Sequence, residues 1–147
     1  IHSLTDSWLI FADYCFILFF SKHATRFGKT PFLMKVLILG NPAEPHIIKW
    51  VNALAGEDIR ILLFSLNPAE RIHYKDWNNI DFVDCGFDRS FIMHKAGSLL
   101  KIKYVKALPV LKKTIRQYRP EVLHAHYASG YGLLGALSGF HPFFVSA

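Results

Sequence analysis

Cysteine is nearly missing from the sequence: Cys15 and Cys85 are the only two among 147 residues. Two thiols do not make a disulfide framework, so a packed core must hold the chain, and a reducing, cytoplasmic compartment is the default. There is no C-x-x-C pair and no Cys/His cluster, which excludes a zinc ribbon or finger. Charge is also sparse. Charged residues are 19% and apolar residues 52%, a balance that excludes a disordered tail. No apolar run is long enough to cross a bilayer. The longest, residues 8–20, is interrupted by Asp13 and falls short of the roughly 20 residues a span needs. The length suits one domain with a sizeable core.

Residues 1–33 differ from the rest. They carry six of the thirteen phenylalanines. Lys22, Arg26 and Lys29 follow the apolar run rather than precede it, which is the wrong order for a secretory signal. An interfacial anchor stays open for this segment. The simpler expectation starts the domain at Met34-Lys35, directly before a buried strand, and treats 1–33 as upstream sequence outside the fold.

From residue 34 onward, strands and helices alternate. Residues 36–39 form an aliphatic run without polar alternation, as in a parallel strand covered on both faces. Ile47, Trp50, Val51 and Leu54 fall at helical spacing over 46–54, and Gly56 stands where that helix ends. Residues 59–66 make a second buried strand and 80–83 a short third. Residues 69–79 read as a loop, and 86–98 give no clear pattern. Val105, Leu108, Leu111, Ile115 and Tyr118 define another helical face, with Pro109 in its first turn or kinking it. Residues 122–126 predict a strand and 131–137 a helix, with Gly132, Gly135 and Ala136 small enough for close packing. Residues 143–146 begin one more strand. The fold class is therefore α/β: a Rossmann-like, mostly parallel sheet with helices on both faces. Ligands of such sheets sit beyond the C-terminal strand ends, which singles out 40–46, 67–71 and 124–131.

Those segments supply the candidate site. Gly40, Asn41 and His46 lie in the first strand–helix turn, which is neither G-x-G-x-x-G nor a phosphate loop ending in Gly-Lys-Ser/Thr. Its backbone N–H groups and helix start are candidates for an anionic ligand. His124 and His126 end a strand and, two apart, share one face. No third ligand lies near them in sequence, so no metal is assigned. His126, closer to the strand end, is the ligand-facing candidate and His124 the structural one. Ser129 reads as the N-cap of the next helix, with ligand contact as the alternative. No Ser/His/Asp triad and no paired carboxylates stand out. Cys85, beside Gly86, reads as a small buried residue.

Between Arg89 and Pro120 there are nine basic residues and no acidic one. A solvated helix face accounts for such a run. Contact with an anionic membrane surface is the sharper alternative. Nucleic acid is set aside because no recognition motif accompanies the charge.

Residues 34–147 resemble the N-terminal, acceptor-side domain of a family 4 glycosyltransferase of the GT-B class. The likeness is carried by Met34-Lys35-Val36-Leu37-Ile38-Leu39-Gly40-Asn41-Pro42 leading to His46-Ile47-Ile48-Lys49-Trp50-Val51. It is carried more strongly by Arg119-Pro120-Glu121-Val122-Leu123-His124-Ala125-His126-Tyr127 and the helix from Gly130 to Ala136. The resemblance implies retaining transfer of a sugar from a nucleotide-sugar donor to a glycan or lipid-linked acceptor, without cofactor or active-site metal. It implies that His126 lies near the transferred sugar as the catalytic residue. It also implies that the turn with Gly40 and Asn41 approaches the donor diphosphate, although Pro42 and Ala43 stand where the family often has a glycine pair. Most of the donor is held by a second domain in that family, so these residues alone are expected to be inactive. A sugar-nucleotide 2-epimerase, which shares the fold, and a membrane-associated binding module are the competing expectations. The location expected is cytoplasmic or peripheral at the inner face of a membrane.

Overall fold

A computed structural model describes residues 34–57, 59–68, 74, 78–87 and 104–146. The readings made for 1–33 and for most of 69–79 and 86–98 lie outside these residues. Among the described residues five strands are formed: β1 (Met34–Leu39), β2 (Ile59–Ser65), β3 (Ile80–Asp84), β4 (Val122–His126) and β5 (Phe143–Ser146). Three helices accompany them: α1 (Pro45–Ala55), α2 (Leu108–Tyr118) and α3 (Leu133–Ser138). The strands lie in the order β3, β2, β1, β4, β5, and every neighbouring pair is parallel.

Period-two alternation sorts the strand residues onto two faces. Val36, Ile38, Ile61, Leu63 and Val122 face α1, which buries Ile47, Trp50, Val51 and Leu54 against them. Leu37, Leu39, Leu62, Phe64 and Leu123 face the other way, toward Leu111 of α2 and Leu134 of α3. Both faces are covered, which is why these strands read as unbroken aliphatic runs.

Helix ends follow the sequence expectations except before α2 and at the start of α3. Gly56 stands directly after α1, where the helix end was expected, in a right-handed conformation (φ −74°). Arg119 takes the left-handed position after α2 (φ 53°), held by its N–H to Ile115 O. Pro109 does sit in the first turn of α2, where its missing N–H breaks no helical bond. Val105 belongs to the turn before α2 rather than to the helix. Helix α3 starts two residues later than predicted, because a wide π-turn (Ala128–Gly132) precedes it. Gly135 does allow close packing: a Cβ there would overlap the Phe143 ring. Ala136, by contrast, is exposed.

The strand order reverses between β1 and β4. Helices leave the neighbouring C-terminal strand ends toward opposite faces there, opening a crevice. The segments after β1 and β4 are therefore the ones the fold sets at its ligand edge.

Candidate functional site at the switch point

Strands β1 and β4 bring the two loops together. Ile38 pairs with His124 and Leu39 with Ala125, so Gly40 and His126 are neighbours at the strand ends. A Cβ built on Gly40 would overlap Ile47 Cδ1 and stand 3.8 Å from His126 Cβ. A larger residue there would make Ile47 of α1 turn its side-chain end aside. The Gly40 N–H continues the ladder to Phe64 O at 3.1 Å.

Asn41 is turned back on its own loop. Its Oδ1 accepts from Ala43 N at 3.2 Å and its Nδ2 donates to Glu44 Oε1 at 3.3 Å. Tyr74 fastens the same loop by donating to Pro42 O at 2.8 Å. Glu44 precedes α1 as its cap residue, and Pro45 follows in the first turn. A carboxylate complements the positive end of the helix. It makes no side-chain bond to the helix N–H groups, but its charge disfavours an anionic ligand at that end.

The imidazoles form a cluster of tilted rings beside Trp50. His124 and His126 lie on the α1 face of β4 with ring centroids 4.6 Å apart. Trp50 is 4.6 Å from His124 and 5.4 Å from His126. His46, one helical turn before Trp50, reaches His126 at 5.5 Å and Tyr127 at 5.2 Å. His124 is 1% exposed and its Nε2 hydrogen-bonds Ser146 Oγ on β5. His126 is 5% exposed, and no described residue offers a hydrogen-bond partner to its Nε2. Burial, reinforced by His124 and then His46, pushes the His126 imidazole down to about 3. It is therefore neutral at pH 7, one nitrogen carrying a proton and the other a lone pair.

Tyr127 follows His126 and is strained. Its φ is 70° and ψ 115°, a conformation that side chains rarely adopt. The strain is maintained by bonds on both sides: Tyr127 N donates to Ser146 O at 2.9 Å, and Gly132 N donates to Tyr127 O at 2.9 Å. The ring stands 44% exposed at the mouth of the crevice.

A family model described as glycosyl transferase 4-like matches residues 35–147. The chain belongs to the glycosyl transferase 4-like family. No curated protein matches it.

In this glycosyl transferase 4-like domain the sequence-predicted residues are placed unequally. Gly40, His46, His124 and His126 converge at the switch point. Asn41 is there too, with its amide engaged by its own loop. Ser129 is not the N-cap expected of it: Tyr127 holds that position without a side-chain bond, and Ser129 lies exposed inside the π-turn. Trp50 and Tyr127 were not among the predicted site residues. Trp50 had a signal, since it lies four residues after His46 on one helical face. The strain at Tyr127 had none, because nothing in a tyrosine announces a positive φ. Among the described residues, no group of three His, Cys, Asp or Glu side chains is arranged to hold a metal. None of the described helices is long and apolar enough to cross a membrane.

Proposed function

We propose that residues 34–147 form the acceptor-side domain of a retaining glycosyltransferase, which moves a sugar from a nucleotide-sugar donor to a glycan or lipid-linked acceptor. Residues 1–33 stand outside that domain. The observation that carries the reading is His126: a buried, neutral imidazole at the switch point with its Nε2 unpartnered among the described residues. Such a nitrogen can give or take one hydrogen bond at a sugar hydroxyl without presenting a charge. His46 packs against His126 and Tyr127 against His46, so Nε2 is closed off and an acceptor reaches it when these rings move aside.

The same loops are poorly equipped for a diphosphate. Residues 40–46 and 127–132 contain Glu44 and no Lys or Arg. Charge-assisted bonds from cations are the usual seat of a diphosphate. The donor is therefore held chiefly by groups outside these loops, and residues 34–147 by themselves do not turn over, since transfer needs donor and acceptor fixed together.

The test is to express the complete coding sequence and incubate it with a panel of nucleotide-sugars and acceptors, following products by NMR. Expected is a new glycosidic bond with the donor's anomeric configuration kept. An inverted product would overturn the retaining reading. An isomerised nucleotide-sugar with no glycosylated acceptor would move the assignment to the 2-epimerase reaction.

A further inference from the structure

Helix α2 divides cleanly into two faces. Leu111 and Thr114 are buried against the sheet, while Leu108, Ile115 and Tyr118 are packed beside them. On the other side Lys112, Lys113 and Arg116 are exposed, as is Lys106 in the preceding turn. At 3.6 residues per turn, Lys112, Lys113 and Arg116 fall within an arc of about 100°. Exposed Pro109 and Val110 lie in and beside that arc, Val110 being 39% exposed.

Among the described residues these cations have no counter-charge. Among the described residues, none of Lys106, Lys112, Lys113 and Arg116 takes part in an ion pair, and the pair found joins Arg60 to Asp81. Between Arg89 and Pro120 there is no acidic side chain at all. Lys112 with Arg116 and Lys113 with Arg116 are like charges at i, i+4 and i, i+3, a spacing that destabilises an isolated helix. An anionic surface would relieve that repulsion.

The helix is also placed usefully. Its C-terminal end leads through Pro120 into the start of β4, where Glu121 N bonds Lys35 O. Its N-terminal end therefore lies toward the opposite, switch-point edge. Tyr104, just before α2, packs there against Gly130, 3.4 Å from that residue's Cβ position.

We propose that the exposed face of α2, with Lys106, Lys112, Lys113 and Arg116, docks on the anionic headgroups of a lipid bilayer. Pro109, between the cations, and Val110, beside them, would meet the headgroup boundary. Docked this way, the α2 side of the sheet meets the bilayer, and His126, on the α1 side, faces away from it. A single-stranded nucleic acid fits the face less well, because no exposed aromatic side chain on it offers a base a stacking platform. The proposal does not depend on the sugar-transfer reading and can fail separately from it.

The test is co-sedimentation of the full chain with phosphatidylglycerol/phosphatidylcholine vesicles and with pure phosphatidylcholine vesicles. Expected is binding to the anionic vesicles alone, weakening as salt shortens the screening length. Each basic residue near such a surface contributes about fivefold in partitioning, so K112A/K113A/R116A should bind roughly a hundredfold more weakly. K49A, on the exposed side of α1, should bind like wild type. Far-ultraviolet circular dichroism of the triple variant checks that α2 is intact. Equal binding of wild type to neutral vesicles, or an intact triple variant that binds as well as wild type, would overturn the proposal. So would vesicle-free wild type that shifts an RNA oligonucleotide while ignoring the anionic vesicles.

Discussion

Lowering the pH from about 7.5 to about 5 should destabilise the fold through His126 in particular. The imidazole is held neutral by its burial against Trp50 and the two neighbouring histidines, and its value is pushed down to about 3. In the unfolded chain it returns to an ordinary value near 6.5. Between those values the unfolded state binds a proton that the folded state refuses. Stability is thus fully present above about pH 6.5 and falls as the pH drops toward 3. At pH 5 the unfolded chain has gained about 1.5 pH units of proton binding, each worth about 1.4 kcal/mol, so the loss is about 2 kcal/mol. This figure depends little on how low the folded value lies, provided it is below 5. The assay is urea unfolding of wild type and H126Q at both pH values. Glutamine does not titrate, so the variant's pH dependence should be flatter by about 2 kcal/mol. Equal pH dependence in the two proteins would refute the reasoning, as would an NMR titration placing His126 near its ordinary value.

Two further substitutions probe the surroundings. G135A should lower stability by about 1–3 kcal/mol in urea unfolding, because the new methyl overlaps the Phe143 ring and β5 must shift. At Tyr127 the φ of 70° makes Y127G more stable than Y127A by about 1 kcal/mol, since both lose the ring but only alanine keeps the strain. Transferase activity should fall in both, separating the strain from the ring's contact role.

The sheet was legible because its strands are buried on both faces. Residues 36–39 and 59–66 have no polar alternation, and they pair at the centre of the sheet, β1 against β2 and β4. Residues 122–126 were read at their observed bounds, despite carrying two histidines, because Arg119-Pro120 stops the helix before them. The shared face of His124 and His126 followed from strand alternation. Helix starts were less legible. The π-turn at Ala128–Gly132 is closed locally by Gly132 N donating to Tyr127 O and anchored by Tyr127 N donating to Ser146 O, a contact that joins separate parts of the chain. Ser129 looked like a cap by residue type, yet tertiary bonds moved the helix start past it. The burial of His126 was invisible for the same reason: it arises from Trp50 and His46 on α1, brought over β4 only by the fold.

The central claim is that the switch point at His126 acts on the transferred sugar, and kinetics of H126A in the complete coding sequence tests it most directly. With one hydrogen bond to the reacting sugar removed, kcat/KM should fall roughly a hundredfold at pH 7.5 while circular dichroism shows an intact fold. A folded H126A enzyme with wild-type kcat/KM would contradict the account.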